Sequence, residues 1–210
     1  MSLRVDLAQI AEWVAPSSRV LDLGCGDGAL LAHLRDAKSC RGYGVEIDDD
    51  HFALCVKQGI NVVQQNLDAG LRLFADRMFD TVVLSQTLQA MHNVEAILRE
   101  MARVARQGVV SFPNFGHWRH AVALLAGRMP VTRQIPYQWF DTPNIHLCTL
   151  KDFEILAARV GLIITGRAVL ADGRPVNFAP ALRATVAIYR FEAPLAALES
   201  GSRRSATCGS

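Results

Sequence analysis

The sequence predicts an α/β domain in which helices cover both faces of a mainly parallel sheet of seven strands. Three observations support this fold class. Short apolar runs alternate with helical patterns over residues 19–112, a glycine-rich turn follows the first run, and two β-rich runs occur in the last third of the chain. Continuous apolar strands are typical of a parallel sheet buried on both faces, and their alternation with helices is typical of a doubly wound fold.

Length and composition favour a single domain. The chain has 210 residues, and 22 Lys and Arg against 20 Asp and Glu leave a net charge of +2. The basic residues are scattered, so the sequence indicates neither a nucleic-acid-binding stripe nor a polybasic membrane anchor. The five cysteines include no CxxC pair, no secretory signal is recognised, and no apolar run reaches the ~18 residues of a membrane span. We therefore expect a cytoplasmic protein with one domain over residues 1–192 and a flexible tail over 193–210.

The first two thirds of the chain supply the parallel part of the predicted sheet. Apolar residues three and four apart predict a helix over residues 3–14. The predicted elements that follow are, in order, strand SRVLDL, a helix over 29–37, strand GYGVEI, a helix over 50–57, strands NVVQ and FDTVVLS, a helix over 94–105, and strand VVSF. This order predicts strands connected by helical crossovers.

The last third of the chain has a different pattern. A helix over residues 116–126 precedes residues 128–148, which contain three prolines and three aromatic residues and have no periodicity. Thr149 and Asp152 form a capping box for the next helix. The runs LIITGRAVL and RATVAIYRF then predict an antiparallel pair at the edge of the sheet.

The glycine turn in VLDLGCGDG and an acid after the second strand indicate a nucleoside site. Gly24, Gly26 and Gly28 are spaced G-x-G-x-G, which differs from the G-x-G-x-x-G of dinucleotide-binding folds and disfavours a nicotinamide dehydrogenase. Glu46 ends the second strand, where a carboxylate can accept hydrogen bonds from both ribose hydroxyls. The alternative interpretations are a plain tight turn for the glycines and an exposed strand-end acid for Glu46.

Four consecutive motifs are similar to those of a known enzyme class. VLDLGCGDG, GVEID, QNLDAGL and FDTVVLSQTLQ resemble the motifs of class I S-adenosylmethionine-dependent methyltransferases, which have a Rossmann-like fold. The resemblance implies S-adenosylmethionine or S-adenosylhomocysteine as cofactor. It implies that the first motif lines the methionine part, Glu46 holds the ribose, the residues after strand three contact adenine, and those after strand four face the methionyl end. The implied cofactor-binding residues are Asp22, Gly24, Gly26, Gly28, Glu46, Asn66, Leu67, Asp68, Ser85 and Gln86; Asn66 stands where the family often has an aspartate.

A narrower resemblance covers residues 10–190. QNLDAGL, SQTLQ, SFPNFGHWR and the segment GRMPVTRQIPYQWFDTPNIHLCT resemble the MetW family of methionine-biosynthesis proteins. This resemblance implies a partner or activator of homoserine O-acyltransferase (MetX). An active methyltransferase acting on a small metabolite is the alternative. The chain contains no G-x-S-x-G, so acyl transfer of the α/β-hydrolase type cannot be its own reaction.

Few residues are candidates for catalysis. The position after strand four reads SQTL instead of the [DN]-P-P-[YFW] motif of methyltransferases that modify amide or exocyclic nitrogens. His92, His117 and His120 are candidate bases and Asn114 is a polar neighbour; the alternative is that these histidines are ordinary surface or helix-start residues. Cys25, in the glycine turn, is expected to fill space because no histidine is spaced to activate it.

We expect no metal site, although His117 and His120 form an HxxH pattern with His146 and Cys148 downstream. Residues 128–148 have three interpretations: a lid over an acceptor, a docking surface or a buried connection. Tyr137, Trp139 and Phe140 with flanking arginines match the composition of interface anchors. This composition favours docking of the acyltransferase on residues 128–148.

Overall fold

One sheet organises the whole fold. The structure, a computed structural model, describes residues 3–193. The strands are β1 Arg19–Leu23, β2 Arg41–Glu46, β3 Asn61–Gln64, β4 Phe79–Ser85, β5 Ala105–Pro113, β6 Ile163–Ala171, β7 Arg174–Pro175 and β8 Val186–Glu192. The helices are α1 Val5–Trp13, α2 Ala29–Lys38, α3 Asp49–Lys57, α4 Val94–Val104, α5 Trp118–Leu125, α6 Leu150–Arg159 and α7 Pro180–Arg183. Short 3₁₀ turns follow β3 and β4, at Leu67–Ala69 and Leu88–Ala90.

The sheet confirms the predicted fold class. Its strand order is β3-β2-β1-β4-β5-β8-β6-β7. The first five strands pair in parallel, whereas β8 runs antiparallel to both β5 and β6. The predicted antiparallel pair is therefore present, and β8 lies between β5 and β6.

The predicted number of seven strands was wrong, because the sheet has eight. The additional strand, β7, pairs with the end of β6 through the register Ala171 to Arg174. Asp172 and Gly173 connect them, and both have positive φ, at 48° and 77°. Two consecutive residues in that region fit a two-residue turn of type I′, for which Asp-Gly is a favoured sequence. The signal was therefore in the chain, between the two β-rich runs LIITGRAVL and RATVAIYRF.

Buried side chains on both faces of the sheet explain the continuous apolar strands. Val20, Val83 and Val109 belong to one core cluster, which includes buried residues of α1 and α2. Their chain neighbours Leu21 and Leu84 belong to the other cluster, which includes buried residues of α4 and α6. Alternate residues therefore pack on opposite faces, as in a parallel sheet with two helical layers.

Residues 128–148 contain neither helix nor strand but are attached to the fold at two places. The backbone N–H groups of Ile145 and His146 donate to the carbonyl of Gln89, at 2.8 and 2.9 Å. The N–H of Phe115 donates to the carbonyl of Cys148 at 2.9 Å. These bonds hold the end of the segment beside β5 and the turn after β4.

Apart from Ala193, the predicted tail over residues 193–210 lies outside the described residues. Within residues 3–193, each helix is too short or too polar to cross a bilayer.

Candidate functional site

The residues implied by the motifs lie along one edge of the sheet. Strands β1 to β4 are parallel, so their carboxyl ends meet at the same edge, where doubly wound folds bind ligands. Residues 24–28 follow β1, Glu46 ends β2, Asn66 follows β3, and Ser85 ends β4.

The glycine turn requires glycine for backbone geometry. Gly24, Gly26 and Gly28 all have positive φ, at 67°, 57° and 80°, a region that other residues rarely adopt. A Cβ at Gly24 would lie 2.8 Å from the hydroxyl oxygen of Thr87, whereas a Cβ at Gly26 would meet no atom within 4 Å. The turn therefore packs tightly on one side and presents bare backbone to open space at Gly26.

Glu46 joins the end of β2 to the glycine turn. The residue is 7% exposed. Oε2 accepts a hydrogen bond from the N–H of Gly26 at 2.7 Å, and Oε1 accepts from the N–H groups of Ile47 and Asp48 at 2.8 and 3.0 Å. Because a carboxylate offers about four acceptor positions, one remains for a ligand in this arrangement. The carboxylate thus also holds the turn in place.

Asp22 is a buried acid on the central strand. It is 3% exposed, and burial raises its pKa to about 7, with Glu46 raising it further and Arg4 opposing the shift. Its carboxyl group is therefore protonated in a substantial fraction of molecules at neutral pH.

Two residues predicted to lie near adenine make local contacts. The side-chain oxygen of Asn66 accepts from the N–H of Asp68 at 2.9 Å and caps Leu67–Ala69. Asp68 accepts from the backbone N–H of His92 at 3.0 Å and contacts its Nδ1 at 2.7 Å. The contact with His92 lowers the pKa of Asp68. The fold therefore brings together a predicted cofactor residue, Asp68, and a candidate base, His92.

Ser85 and Gln86 belong to a polar cluster that sequence reasoning only half identified. The hydroxyls of Ser85 and Ser111 are 3.0 Å apart, and Arg4 donates to the Ser85 hydroxyl at 3.1 Å. Gln86 has φ 54°, and its N–H donates to the Ser111 carbonyl at 2.9 Å. Gln89 adds an amide that donates to the Gln86 carbonyl at 2.7 Å. Ser111 and Gln89 lie within the motifs SFPNFGHWR and SQTLQ but were not singled out, and Arg4 lies in no motif.

Three of the candidate catalytic residues, Asn114, His117 and His120, lie beyond β5. Asn114 is fully buried, and its amide donates to the carbonyls of Ala181 and Ala184 at 2.9 and 2.8 Å. Its side-chain oxygen accepts from the N–H of Gly116 at 3.1 Å. These three bonds give Asn114 a structural role between β5 and α7.

The two histidines of the HxxH pattern are also buried, with ring centroids 5.7 Å apart. His117 caps α5, because its Nδ1 accepts from the N–H of Arg119 at 3.2 Å. Burial, with charge from His120 and Arg119, lowers the pKa of His117. His120 contacts the Phe115 carbonyl at 3.0 Å and the Thr132 hydroxyl at 3.4 Å. Within residues 3–193, no three His, Cys, Asp or Glu side chains are grouped as metal ligands.

Cys25 packs against Cys55 of α3, with their sulfur atoms 3.7 Å apart. Burial is the main cause that raises the pKa of Cys25, so its thiol stays protonated and is a poor nucleophile. Its sulfur also occupies the space that a side chain on Gly44 would need.

The carboxyl edge and its glycine turn define the class of fold as that of S-adenosylmethionine-dependent methyltransferases. A methyltransferase of this type from Mesorhizobium loti superposes with a TM-score of 0.67, at 16% identity over 90% of this chain and 98% of its own. A TehB-like enzyme of the same type from Corynebacterium glutamicum gives a TM-score of 0.62, at 17% identity over 92% of this chain and 89% of its own. Identities this low establish the fold alone.

Within that class, residues 4–191 match the model of the family described as methionine biosynthesis protein MetW. The chain belongs to the MetW family. A relative in Rhodopirellula baltica, the bifunctional methionine biosynthesis protein MetXA/MetW, is 37% identical over 176 residues, which are 78% of this chain. The chain spans 28% of the length of that relative.

Proposed function

We propose that this protein binds S-adenosylmethionine or S-adenosylhomocysteine at the carboxyl edge of its sheet and acts in the cytoplasm as partner or activator of homoserine O-acyltransferase. The main support for this partnership is a relative whose name joins MetXA and MetW in one bifunctional protein. Two modules fused in one protein have a high effective concentration for each other. A separate MetW chain would need a docking surface for the same association.

The contacts at the sheet edge support the cofactor part of the proposal. Open space above Gly26 admits a ligand against bare backbone, and Glu46 keeps one acceptor position beside it. The proposed binding residues remain Asp22, Gly24, Gly26, Gly28, Glu46, Asn66, Leu67, Asp68, Ser85 and Gln86. Asn66 would contribute mainly through its amide nitrogen, because its side-chain oxygen already caps the following turn.

The exposed aromatic side chains of residues 128–148 support docking. Trp139 and Phe140 are 72% and 71% exposed and pack edge to face, with ring centroids 5.7 Å apart. Tyr137 is 43% exposed. This exposure argues against a buried connection, since large aromatic side chains are usually covered in a monomer. Clustered exposed aromatics are typical of interface anchors.

The first experiment measures homoserine acylation by the acyltransferase of the same organism, with and without this protein. We expect a higher rate on addition and coelution of the two proteins. An unchanged rate, with the proteins eluting separately, would contradict the partnership.

Single variants then test the docking surface. Trp139→Ala should weaken the complex about 30-fold, which corresponds to the ~2 kcal/mol of an interface hot spot. Phe178→Ala is the matched control, because Phe178 is 76% exposed but lies outside residues 128–148. Equal affinity for both variants would reject docking on this segment.

A methyltransferase acting on a small metabolite is the second candidate. The observation that favours it is a cavity of about 530 Å³ lined by Arg4, Gln86, Gln89, Tyr137 and Asp172. Its lining includes Gln86, one of the residues proposed to face the methionyl end of the donor. Transfer of label from S-adenosylmethionine to a metabolite extract would support this function, and Glu46→Ala should abolish the transfer.

A further inference from the structure

A second cavity, of about 560 Å³, lies beyond the sheet edge. Its walls are the start of α5, residues 128–134, the turn between β6 and β7, and residues 183–185. Four arginines line it: Arg119, Arg128, Arg133 and Arg183. Asp172 is the single acid in the lining. The lining therefore carries a net charge of +3 even with its histidines neutral.

The four cavity arginines differ from many others in the protein. Within residues 3–193, none of them has a carboxylate within 4.0 Å. By contrast, Arg4, Arg19, Arg35, Arg99, Arg103, Arg159 and Arg167 each pair with an acid. A concave site lined by charge of one sign concentrates field lines and attracts counter-ions. The cavity has an excess of positive charge that the fold itself does not neutralise.

Neutral donors complete the lining. Because Nδ1 of His117 accepts the N–H of Arg119 at 3.2 Å, the proton of the neutral ring lies on Nε2, which is then a donor. Burial of His117 lowers its pKa and favours this neutral form. The Thr132 and Thr185 side chains also line the cavity. Guanidinium groups and N–H or O–H donors are the groups that proteins use to bind carboxylates and phosphates.

We propose that this cavity is a binding site for a small anion bearing a carboxylate or phosphate group. The site is distinct from the proposed adenosyl site. It shares Arg133, Gln134, Asp172 and Thr185 with the 530 Å³ cavity that reaches Gln86. Its concave shape favours a small ligand, which the four solvent-exposed arginines of the lining can reach.

The test is calorimetric titration of the full chain at low ionic strength, with inorganic phosphate and with succinate as separate probes. The variant Arg119→Gln/Arg183→Gln removes two cavity arginines. The matched control Arg72→Gln/Arg106→Gln removes two exposed arginines outside the lining. We expect at least one probe to bind, the cavity variant to weaken it tenfold or more, and the control to change affinity less than twofold. The probe bound more tightly identifies the anion class.

Three outcomes would overturn the proposal. In the first, neither probe binds the unmodified protein. In the second, both double variants weaken binding equally, which would indicate only a general charge effect. Alternatively, the cavity variant leaves probe binding unchanged but weakens the complex with the acyltransferase, which would assign the arginines to a protein interface. Thermal unfolding of both variants provides the check that each is folded.

Discussion

Replacing Glu46 with glutamine separates its structural and ligand-binding roles. The substitution keeps the shape of the side chain but exchanges one acceptor oxygen for a donor NH₂ group. If that group faces Gly26, two N–H donors oppose each other where the structure has a 2.7 Å bond. If the amide turns around, the N–H groups of Ile47 and Asp48 lose their shared acceptor instead.

The expected cost follows from these contacts. One charge-assisted hydrogen bond is lost, at about 1.5–3 kcal/mol, and at least one other weakens to a neutral bond, at up to about 1 kcal/mol. We therefore expect Glu46→Gln to lower the free energy of unfolding by about 2–4 kcal/mol. We also expect the dissociation constant for S-adenosylmethionine to rise at least tenfold, because the acceptor proposed for the ribose is lost.

Urea unfolding measures the first quantity and calorimetric titration of S-adenosylmethionine the second. Glu192→Gln is the control, since Glu192 is an exposed acid at the end of β8. Stability within about 0.5 kcal/mol of that control would refute the role of Glu46 in holding the glycine turn. Lower stability with unchanged ligand affinity would refute its contact with the ribose.

Three further predictions concern packing and protonation near the site. Gly44→Ala would overlap the Cys25 sulfur and should destabilise the protein by about 1–3 kcal/mol; adding Cys25→Ala should recover part of this loss in urea unfolding, and strictly additive effects would contradict the contact. Because burial raises the pKa of Asp22 to about 7, its contribution to stability is fully present below pH 4 and is lost as the pH rises through 7. The free energy of unfolding of the unmodified protein should therefore fall by up to about 4 kcal/mol between pH 4 and 8, whereas that of Asp22→Asn should not show this fall. Parallel pH profiles for the two proteins would contradict this. Gly108→Ala would overlap the Phe191 ring across the β5–β8 pair, so it should lower the unfolding midpoint unless Phe191→Leu is added, and a neutral effect would exclude this packing.

Periodicity and turn chemistry allowed most of the fold to be predicted. The parallel strands were identified because both faces are buried, which makes their apolar runs continuous. Strand β7 was missed because it has only two residues and its pairing depends on a turn at Asp172 and Gly173. A strand this short has no periodicity of its own.

The candidate site also contains some residues that could be predicted from the sequence and others that could not. Residues next to the ends of strands, such as Gly26 and Glu46, were predictable, because parallel topology brings the carboxyl ends together. Arg4 reaches the Ser85 hydroxyl from 81 positions away, and no local pattern encodes such a contact. The anion cavity was likewise not predictable, since Arg119 and Arg183 are distant in the sequence and line one cavity only in the folded protein.

Gln89 connects Gln86, at the end of β4, with the end of residues 128–148. Its carbonyl accepts hydrogen bonds from Ile145 and His146, near the end of residues 128–148, and its amide donates to the carbonyl of Gln86. A ligand that moved Gln86 would therefore act on Gln89, which also anchors residues 128–148. Reciprocity then requires that a protein bound to the segment alter the affinity for that ligand by the same factor. If both proposed partners bind, occupancy of the pocket would change the strength of the complex, with no chemical turnover needed.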